Sequence, residues 1–82
     1  PLRAPDLVVA NPPRRGLGAE VTTLLRELAA PRVHIMACGP DGLAADLAAL
    51  TAGGLYRLER LEAFQTLPQT PHVELVAWLE RA

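Results

Sequence analysis

The chain has 82 residues, 50% of them hydrophobic, and a net charge of −1 at pH 7. That length allows one small domain, and the apolar content excludes a disordered tail. The balanced charge gives no sign of the clustered basic surface that binds nucleic-acid phosphates. The single cysteine excludes an internal disulfide and is typical of a reducing compartment. The sequence shows no signal-peptide pattern and no apolar stretch long enough to cross a membrane, so we expect a cytoplasmic location. Because the first residue is Pro1 and not methionine, we also expect a piece of a longer protein.

The first third of the chain predicts a strand followed by a helix. Residues 6–10 form a short apolar run that stops before two prolines at Asn11, as is typical of a buried parallel strand. Leucine and valine side chains then recur at helical spacing between positions 17 and 28. Gly18 is the predicted start of this helix and Pro31 its stop.

The same pair of elements follows a second time. Residues 32–38 are another apolar run. A second helix is indicated by Leu43, Leu47 and Leu50, with Pro40 in its first turn and two glycines beyond its end. Strand, helix, strand, helix is the pattern of a parallel α/β sheet.

The last third is less regular. Residues 55–64 have apolar side chains at both two- and three-residue spacings, which fits either a bulged strand or a helix; the preceding α/β pattern favours a strand. Residues 73–79 are apolar on both faces apart from Glu74, as expected of a central strand, and residues 65–72 are a proline-containing loop. We therefore predict a mixed sheet in the order first, second, fourth, third, with the fourth strand antiparallel and two helices on the sheet.

Two predicted strand ends have residues suited to chemistry, because ligands of open α/β sheets bind at the carboxyl ends of the strands. The first ends at Asn11, which the following prolines hold in an extended conformation. The second ends at Cys38, level with Asn11 and directly before a helix whose positive dipole end stabilises anions such as a thiolate. Gly39 would let a ligand approach the backbone there. Ordinary structural interpretations exist for both, since Asn-Pro commonly ends a strand and a lone cysteine is commonly a small buried apolar residue.

A third polar group is Glu74, a carboxylate at the start of the last strand. If that strand is antiparallel, Glu74 lies at the sheet edge where Cys38 ends its own strand. A partly buried carboxylate suits proton transfer, whereas a solvent-facing residue at a strand edge is the structural alternative. His72 is a second candidate titrating group. We predict that Asn11, Cys38 and Glu74 lie along one rim of the sheet.

Three segments follow one another in a specific order and spacing: DLVVANPPRRGL, VHIMACGPDGLAADLAAL and FQTLPQTPHVELVAWLER. No single motif is decisive, but xPPRxGL followed by CxP and then by PQTPHVE is a specific combination. In this combination the chain resembles the RNA uracil-5-methyltransferase family, which modifies ribosomal and transfer RNA. The resemblance covers essentially the whole chain. It implies the C-terminal half of a Rossmann-like class I methyltransferase fold, with residues 1–82 as part of one catalytic domain.

The resemblance also implies a role for each candidate residue. Cys38 corresponds to the nucleophile that adds to C6 of the target uracil, which lets C5 accept the methyl group of S-adenosylmethionine. Glu74 corresponds to the base that removes the C5 proton, after which Cys38 is eliminated. Asn11 corresponds to a polar residue that contacts the base. Further implied binding residues are Pro12, Arg14 and His72. The implied cofactor is S-adenosylmethionine and the implied partner is RNA, with no metal.

The chain departs from the family pattern at two positions. The family usually has Asp at Asn11 and Ser-Cys-Asn-Pro at residues 37–40, so one charge and the side chain at Gly39 are missing. The glycine-rich donor loop and its ribose-binding acidic residue are missing too, so we expect no binding of S-adenosylmethionine by this chain alone. Two alternatives stay open: a non-catalytic module with the same fold, and an Asn-Pro-Pro methyltransferase that acts on amino groups, although the latter has an aromatic residue where Arg14 stands.

The first strand predicts self-association. In the complete fold this strand is central, whereas here its upstream neighbour is absent. An apolar strand with an unpaired edge recruits another strand. We therefore expect a homodimer, or aggregation, through the exposed strand at residues 7–10.

Overall fold

The computed structural model describes residues 5–64 and 73–82. Their elements are β1 (Leu7–Ala10), α1 (Ala19–Leu28), β2 (Arg32–Ala37), α2 (Pro40–Thr51), a 3₁₀ turn (Ala52–Gly54), β3 (Tyr56–Phe64) and β4 (Glu74–Arg81). Every predicted strand and helix is present, with ends that differ from the prediction by a residue or two. The loop predicted at residues 65–72 lies outside the described residues. Neither described helix has the length and apolar character that a membrane crossing needs.

The strands form one mixed sheet in the order β1-β2-β4-β3. β1 is parallel to β2, and β4 is antiparallel to both of its neighbours. The predicted order and the antiparallel direction of the last strand are confirmed. β4 lies inside because its side chains are mostly apolar on both faces, whereas most side chains of β3, the edge strand, are exposed.

A β-bulge explains the irregular pattern of β3. The pairing with β4 shifts register between Leu58 and Arg60, so Glu59 is an extra residue on β3. One extra residue moves all following side chains to the opposite face of the sheet. The three-residue spacing from Leu58 to Leu61 follows from this shift, and the strand that we predicted here is confirmed.

The core lies between one face of the sheet and the two helices. It consists of Leu25, Val33, Ile35, Ala37, Leu43, Leu50, Tyr56, Ala77 and Leu79. Alternate residues of the strands point the other way, because successive side chains of a strand face opposite sides. We call this second side the open face, and it includes Val9, His34, Met36, Val76 and Trp78. No described helix covers it, so Val9 and Met36 remain exposed.

Candidate active site

The ends of β1 and β2 and the start of β4 lie at the same edge of the sheet. Ala37 pairs with Leu75 as the last pair of the antiparallel ladder of β2 and β4, and Cys38 and Glu74 are the next residues along these two segments. Residues directly opposite each other on antiparallel strands have Cβ atoms about 4.5–5.5 Å apart. Because Cys38 and Glu74 directly follow such a pair, the predicted thiol and the predicted carboxylate lie at the same edge of the sheet on neighbouring segments.

Glu74 is half-buried and is the first residue of β4, where it pairs with Phe64 at the end of β3. Its Oε2 atom is buried and has no hydrogen-bond partner in the described part of the chain. Burying a carboxylate oxygen without a partner costs free energy, and such atoms in native proteins commonly belong to functional sites. Within the described residues, this oxygen therefore has unused capacity to accept a hydrogen bond.

Cys38 has a free, half-buried thiol directly after β2. The next residue, Gly39, is the N-cap of α2, and Pro40 occupies the first turn. The Gly39 carbonyl accepts a 3.1 Å hydrogen bond from the Leu43 N–H, which starts the helix. Partial exposure beside a helix N-terminus is the setting in which reactive cysteines occur. Its partial exposure does not fit the alternative of a fully buried apolar side chain.

Asn11 is the first residue after β1, the strand that pairs with β2, and it is exposed. Ala10 pairs with Ile35, so by the same register Asn11 lies level with Met36, two residues before Cys38. At about 3.3 Å per residue the offset along the strand is roughly 7 Å. The prediction that Asn11 and Cys38 are level is therefore wrong, although both lie at the same edge on neighbouring strands.

The loop between β1 and α1 packs its backbone onto the first turn of α2. A Cβ atom on Gly39 would overlap the carbonyl oxygen of Arg14, and one on Gly42 would lie 2.5 Å from the Arg15 carbonyl carbon. The space beside Gly39 is therefore taken up by the backbone of Arg14, whereas we had predicted that it would let a ligand approach the Gly39 backbone. The contact holds the Arg14 backbone beside the residue that follows Cys38, while the Arg14 side chain is exposed.

Two other predicted binding residues are placed differently. Pro12 is buried, unlike Pro13 and Arg14 that follow it. His72 lies outside the described residues. Within residues 5–64 and 73–82, no group of three or more His, Cys, Asp or Glu side chains is arranged to hold a metal ion.

Asp46 is a buried carboxylate that the sequence analysis did not single out; the residue is 3% exposed. Its Oδ2 accepts a 2.7 Å hydrogen bond from the N–H of Leu17, and its Oδ1 accepts a 3.4 Å bond from Gly18. A signal was present in the helical spacing, since Asp46 follows Leu43 by three residues and precedes Leu50 by four. That spacing places a charge on the apolar face of α2, where charged residues are rare unless paired.

The Gly16-Leu17-Gly18 turn does not fit a methyl-donor site. In α/β folds, glycine-containing turns at helix N-termini bind anionic ligand groups through their backbone N–H groups. Here the N–H groups of Leu17 and Gly18 already donate to Asp46, and Gly16 is buried against α2. The N–H groups of this turn are therefore not available to a methyl donor.

Comparison with known proteins identifies relatives along nearly the whole chain. The model of the tRNA (uracil-5-)-methyltransferase family matches residues 4–82. The 23S rRNA (uracil(747)-C(5))-methyltransferase RlmC of Vibrio cholerae is 39% identical over 80 residues, which are 98% of this chain and 20% of that protein. An uncharacterized RNA methyltransferase of Streptomyces coelicolor is 46% identical over 77 residues, which are 94% of this chain and 17% of that protein.

A solved structure has the same fold. The crystal structure of Pyrococcus abyssi tRNA (uracil-54, C5)-methyltransferase, in complex with S-adenosyl-L-homocysteine, superposes with a TM-score of 0.78 at 35% sequence identity. The match covers 90% of this chain and 18% of that one, so this chain spans about a fifth of the length of its relatives. With a family model matched over residues 4–82, the chain belongs to the tRNA (uracil-5-)-methyltransferase family.

Proposed function

We propose that this chain is the C-terminal catalytic segment of an S-adenosylmethionine-dependent methyltransferase that forms 5-methyluridine in ribosomal or transfer RNA. The main observation in support is that Cys38 and Glu74 both follow the last pair of the β2–β4 ladder at one edge of the sheet, where the Glu74 Oε2 is buried without a partner in the described part of the chain. The relatives, which are about five times longer, support the assignment as a segment. Because the sequence lacks the glycine-rich donor loop that the family resemblance implies, we propose that the segment alone is inactive.

The residue types suit the chemistry of uracil C5, which is a weak nucleophile. The Cys38 thiolate adds to C6, and the electrons of the C5–C6 double bond move onto C5 and the O4 carbonyl as an enolate. Such covalent addition divides one difficult step into two easier ones. S-adenosylmethionine, which the rest of the full-length protein would bind, would supply the methyl group to C5 and leave as S-adenosylhomocysteine.

Glu74 completes the reaction as the general base. After methylation, C5 carries both the methyl group and its original hydrogen. The Glu74 carboxylate accepts that proton, the electrons of the C–H bond re-form the double bond, and the Cys38 thiolate leaves C6. C5 and C6 are adjacent ring atoms, so groups on neighbouring segments at one edge of the sheet can reach both of them.

Asn11 contributes recognition of the base. Its side-chain amide has both donor and acceptor atoms, so it can pair with the carbonyl oxygens and the N3–H of uracil. The exposed Arg14 side chain, held beside the same rim, supplies a positive charge to an adjacent RNA phosphate. A neutral amide at position 11 recognises the base without adding a second negative charge near Glu74.

Covalent trapping on RNA that contains 5-fluorouracil tests the role of Cys38, because fluorine cannot leave C5 as a proton does. The full-length protein should form a stable adduct, and Cys38→Ala should abolish it. Trapping that survives in Cys38→Ala would exclude Cys38 as the nucleophile. A folded wild-type protein that forms no adduct would favour the alternative of a non-catalytic module.

The same assay separates Glu74 from Cys38. With ordinary RNA, Glu74→Gln should accumulate a methylated covalent adduct, since addition proceeds but elimination lacks its base. Glu80→Gln is the matched control, because Glu80 is a half-buried carboxylate on the same strand at the opposite end. Normal turnover in Glu74→Gln would remove Glu74 from the mechanism.

A further inference from the structure

Asp46 connects α2 with the loop between β1 and α1. Asp46 lies on the apolar face of α2 and is 3% exposed. A buried carboxylate is stable only when hydrogen bonds compensate for its lost hydration. The compensating bonds come from two backbone N–H groups of one loop, those of Leu17 and Gly18. The buried charge therefore fixes the position of that loop relative to α2.

The loop backbone fits closely beneath this carboxylate. Gly16 has a φ of +93°, and a Cβ atom there would lie 2.8 Å from Asp46 Oδ2 and 2.7 Å from the Gly42 carbonyl oxygen. Gly16 also donates a 2.8 Å backbone hydrogen bond to Pro13, which closes the turn. Gly16 and Gly42, which have no side chains, let the loop approach α2 closely, and the hydrogen bonds to Asp46 set the final position of the loop.

The same contact joins two parts of the candidate active site. α2 begins directly after Cys38, so its first turn is fixed relative to the thiol. The loop begins at Asn11 and continues through Arg14, whose carbonyl packs on Gly39. The side chains of Asn11 and Arg14 are exposed. Asp46 is thus the side chain that ties the base-contacting part of the loop to the element that holds Cys38.

We infer that Asp46 is a positioning residue for the methylation reaction: through Leu17 and Gly18 it sets the distance of Asn11 and Arg14 from Cys38. This inference rests on the proposed function. Asp46 touches no substrate atom in this role. Its loss should displace the loop while leaving Cys38, Glu74 and the strands that hold them in place.

The test compares Asp46→Asn and Asp46→Leu in the full-length protein. Asn has nearly the shape of Asp but only one acceptor oxygen, and Leu has none. A displacement of about 1 Å at a reacting site can lower rates by up to roughly a hundredfold. We therefore expect the rate of adduct formation on 5-fluorouracil RNA to fall roughly tenfold in Asp46→Asn and further in Asp46→Leu. Affinity for S-adenosylmethionine, measured by calorimetry, should not change.

A structural readout accompanies the kinetics. Amide hydrogen exchange should become faster in residues 11–18 of both variants and stay unchanged in β2 and β4. Glu27→Gln is the matched control, because it makes the same carboxylate-to-amide change at an exposed position of α1 and should alter neither measurement. All rates are corrected for the folded fraction by circular dichroism.

The outcomes distinguish the two proposals. A wild-type protein without adduct overturns the proposed function, whereas the exchange measurement still reports whether Asp46 holds the loop. A wild-type protein that forms the adduct, with variants that match its rate, overturns the positioning role alone. Loss of the folded state in both Asp46 variants also overturns it, since Asp46 would then be required for folding and not for placement.

Discussion

Tyr56 joins the start of β3 to the end of α1. Its hydroxyl donates a 2.7 Å hydrogen bond to the carbonyl of Ala30, and the residue is 2% exposed. Burial raises the pKa of the Tyr56 hydroxyl above its ordinary value of 10.0, and the nearby cations of Arg81 and Arg26 oppose this shift only in part. The fold therefore favours the neutral phenol.

This shift predicts alkaline destabilisation. Near pH 10 the tyrosine of the unfolded chain loses its proton, whereas the folded chain keeps it to a higher pH. The folded state then binds more protons, so the free energy of unfolding falls as pH rises from about 10 through the folded pKa and is unaffected below that range. Tyr56→Phe should lack this decline and lose about 1 kcal/mol at neutral pH with its hydrogen bond.

Two titrations of the 82-residue chain check the prediction. Phenolate absorbance reports Tyr56 alone, since the chain has one tyrosine. Denaturant unfolding at several pH values gives the stability of the wild type and of Tyr56→Phe. A phenolate midpoint at or below pH 10, or the same alkaline decline in Tyr56→Phe, would contradict the argument.

Buried polar side chains are the part of the site that apolar patterns reveal least. Glu74 could be predicted because it interrupts an apolar strand at its first residue. Asp46 interrupts an apolar helix in the same way, but its hydrogen-bond donors lie 28 and 29 residues away in the chain. Helical spacing shows that such a charge is buried, whereas only the tertiary structure shows which backbone groups it binds.

At the scale of elements, the order of strands followed from the sequence but their register did not. The apolar faces of residues 73–79 indicated a central strand, and β4 occupies that place. The two-residue offset between Asn11 and Cys38 depends on how β1 pairs with β2, and a strand that is apolar at every position does not distinguish one register from the next. The bulge at Glu59 likewise gives residues 55–64 an apolar spacing that fits either a strand or a helix. Only the pairing with β4 distinguishes the two.

The loop between β1 and α1 packs on the first turn of α2, which predicts that a side chain at Gly39 lowers the stability of the fold. Its φ of −114° suits any residue, so only space restricts the position. A Cβ atom would overlap the Arg14 carbonyl oxygen, which is backbone and cannot rotate away. Gly39→Ala should therefore destabilise the full-length protein by about 1–3 kcal/mol. If the loop moves away instead, the rate of adduct formation should fall.

Thermal unfolding and the trapping assay measure these two effects. Ala44→Ser is the control, because it adds one non-hydrogen atom to α2 at an exposed position and should cost only a few tenths of a kcal/mol. Unchanged stability together with an unchanged rate in Gly39→Ala would show that the loop does not pack as described.

At the scale of the whole molecule, the chain has two incompletely covered surfaces. β1 pairs with β2 on one side, and within the described residues no strand pairs with its other side. On the open face, Val9 is 63% exposed and Met36 is 43% exposed. Backbone groups along an unpaired strand edge hydrogen-bond readily with another strand, and adjacent apolar side chains add burial to that pairing.

We therefore expect the 82-residue chain to self-associate through β1. The β1 edge of a second copy is available at the same concentration as the protein. A two-fold symmetric dimer would pair the backbone groups of both β1 edges at once. Val9→Lys should shift the equilibrium to monomer, since a charge on an edge strand opposes the burial that pairing requires. Sedimentation velocity over a wide concentration range measures this. A wild-type chain that stays monomeric throughout would show that the edge is protected, whereas association that persists in Val9→Lys would place the interface elsewhere.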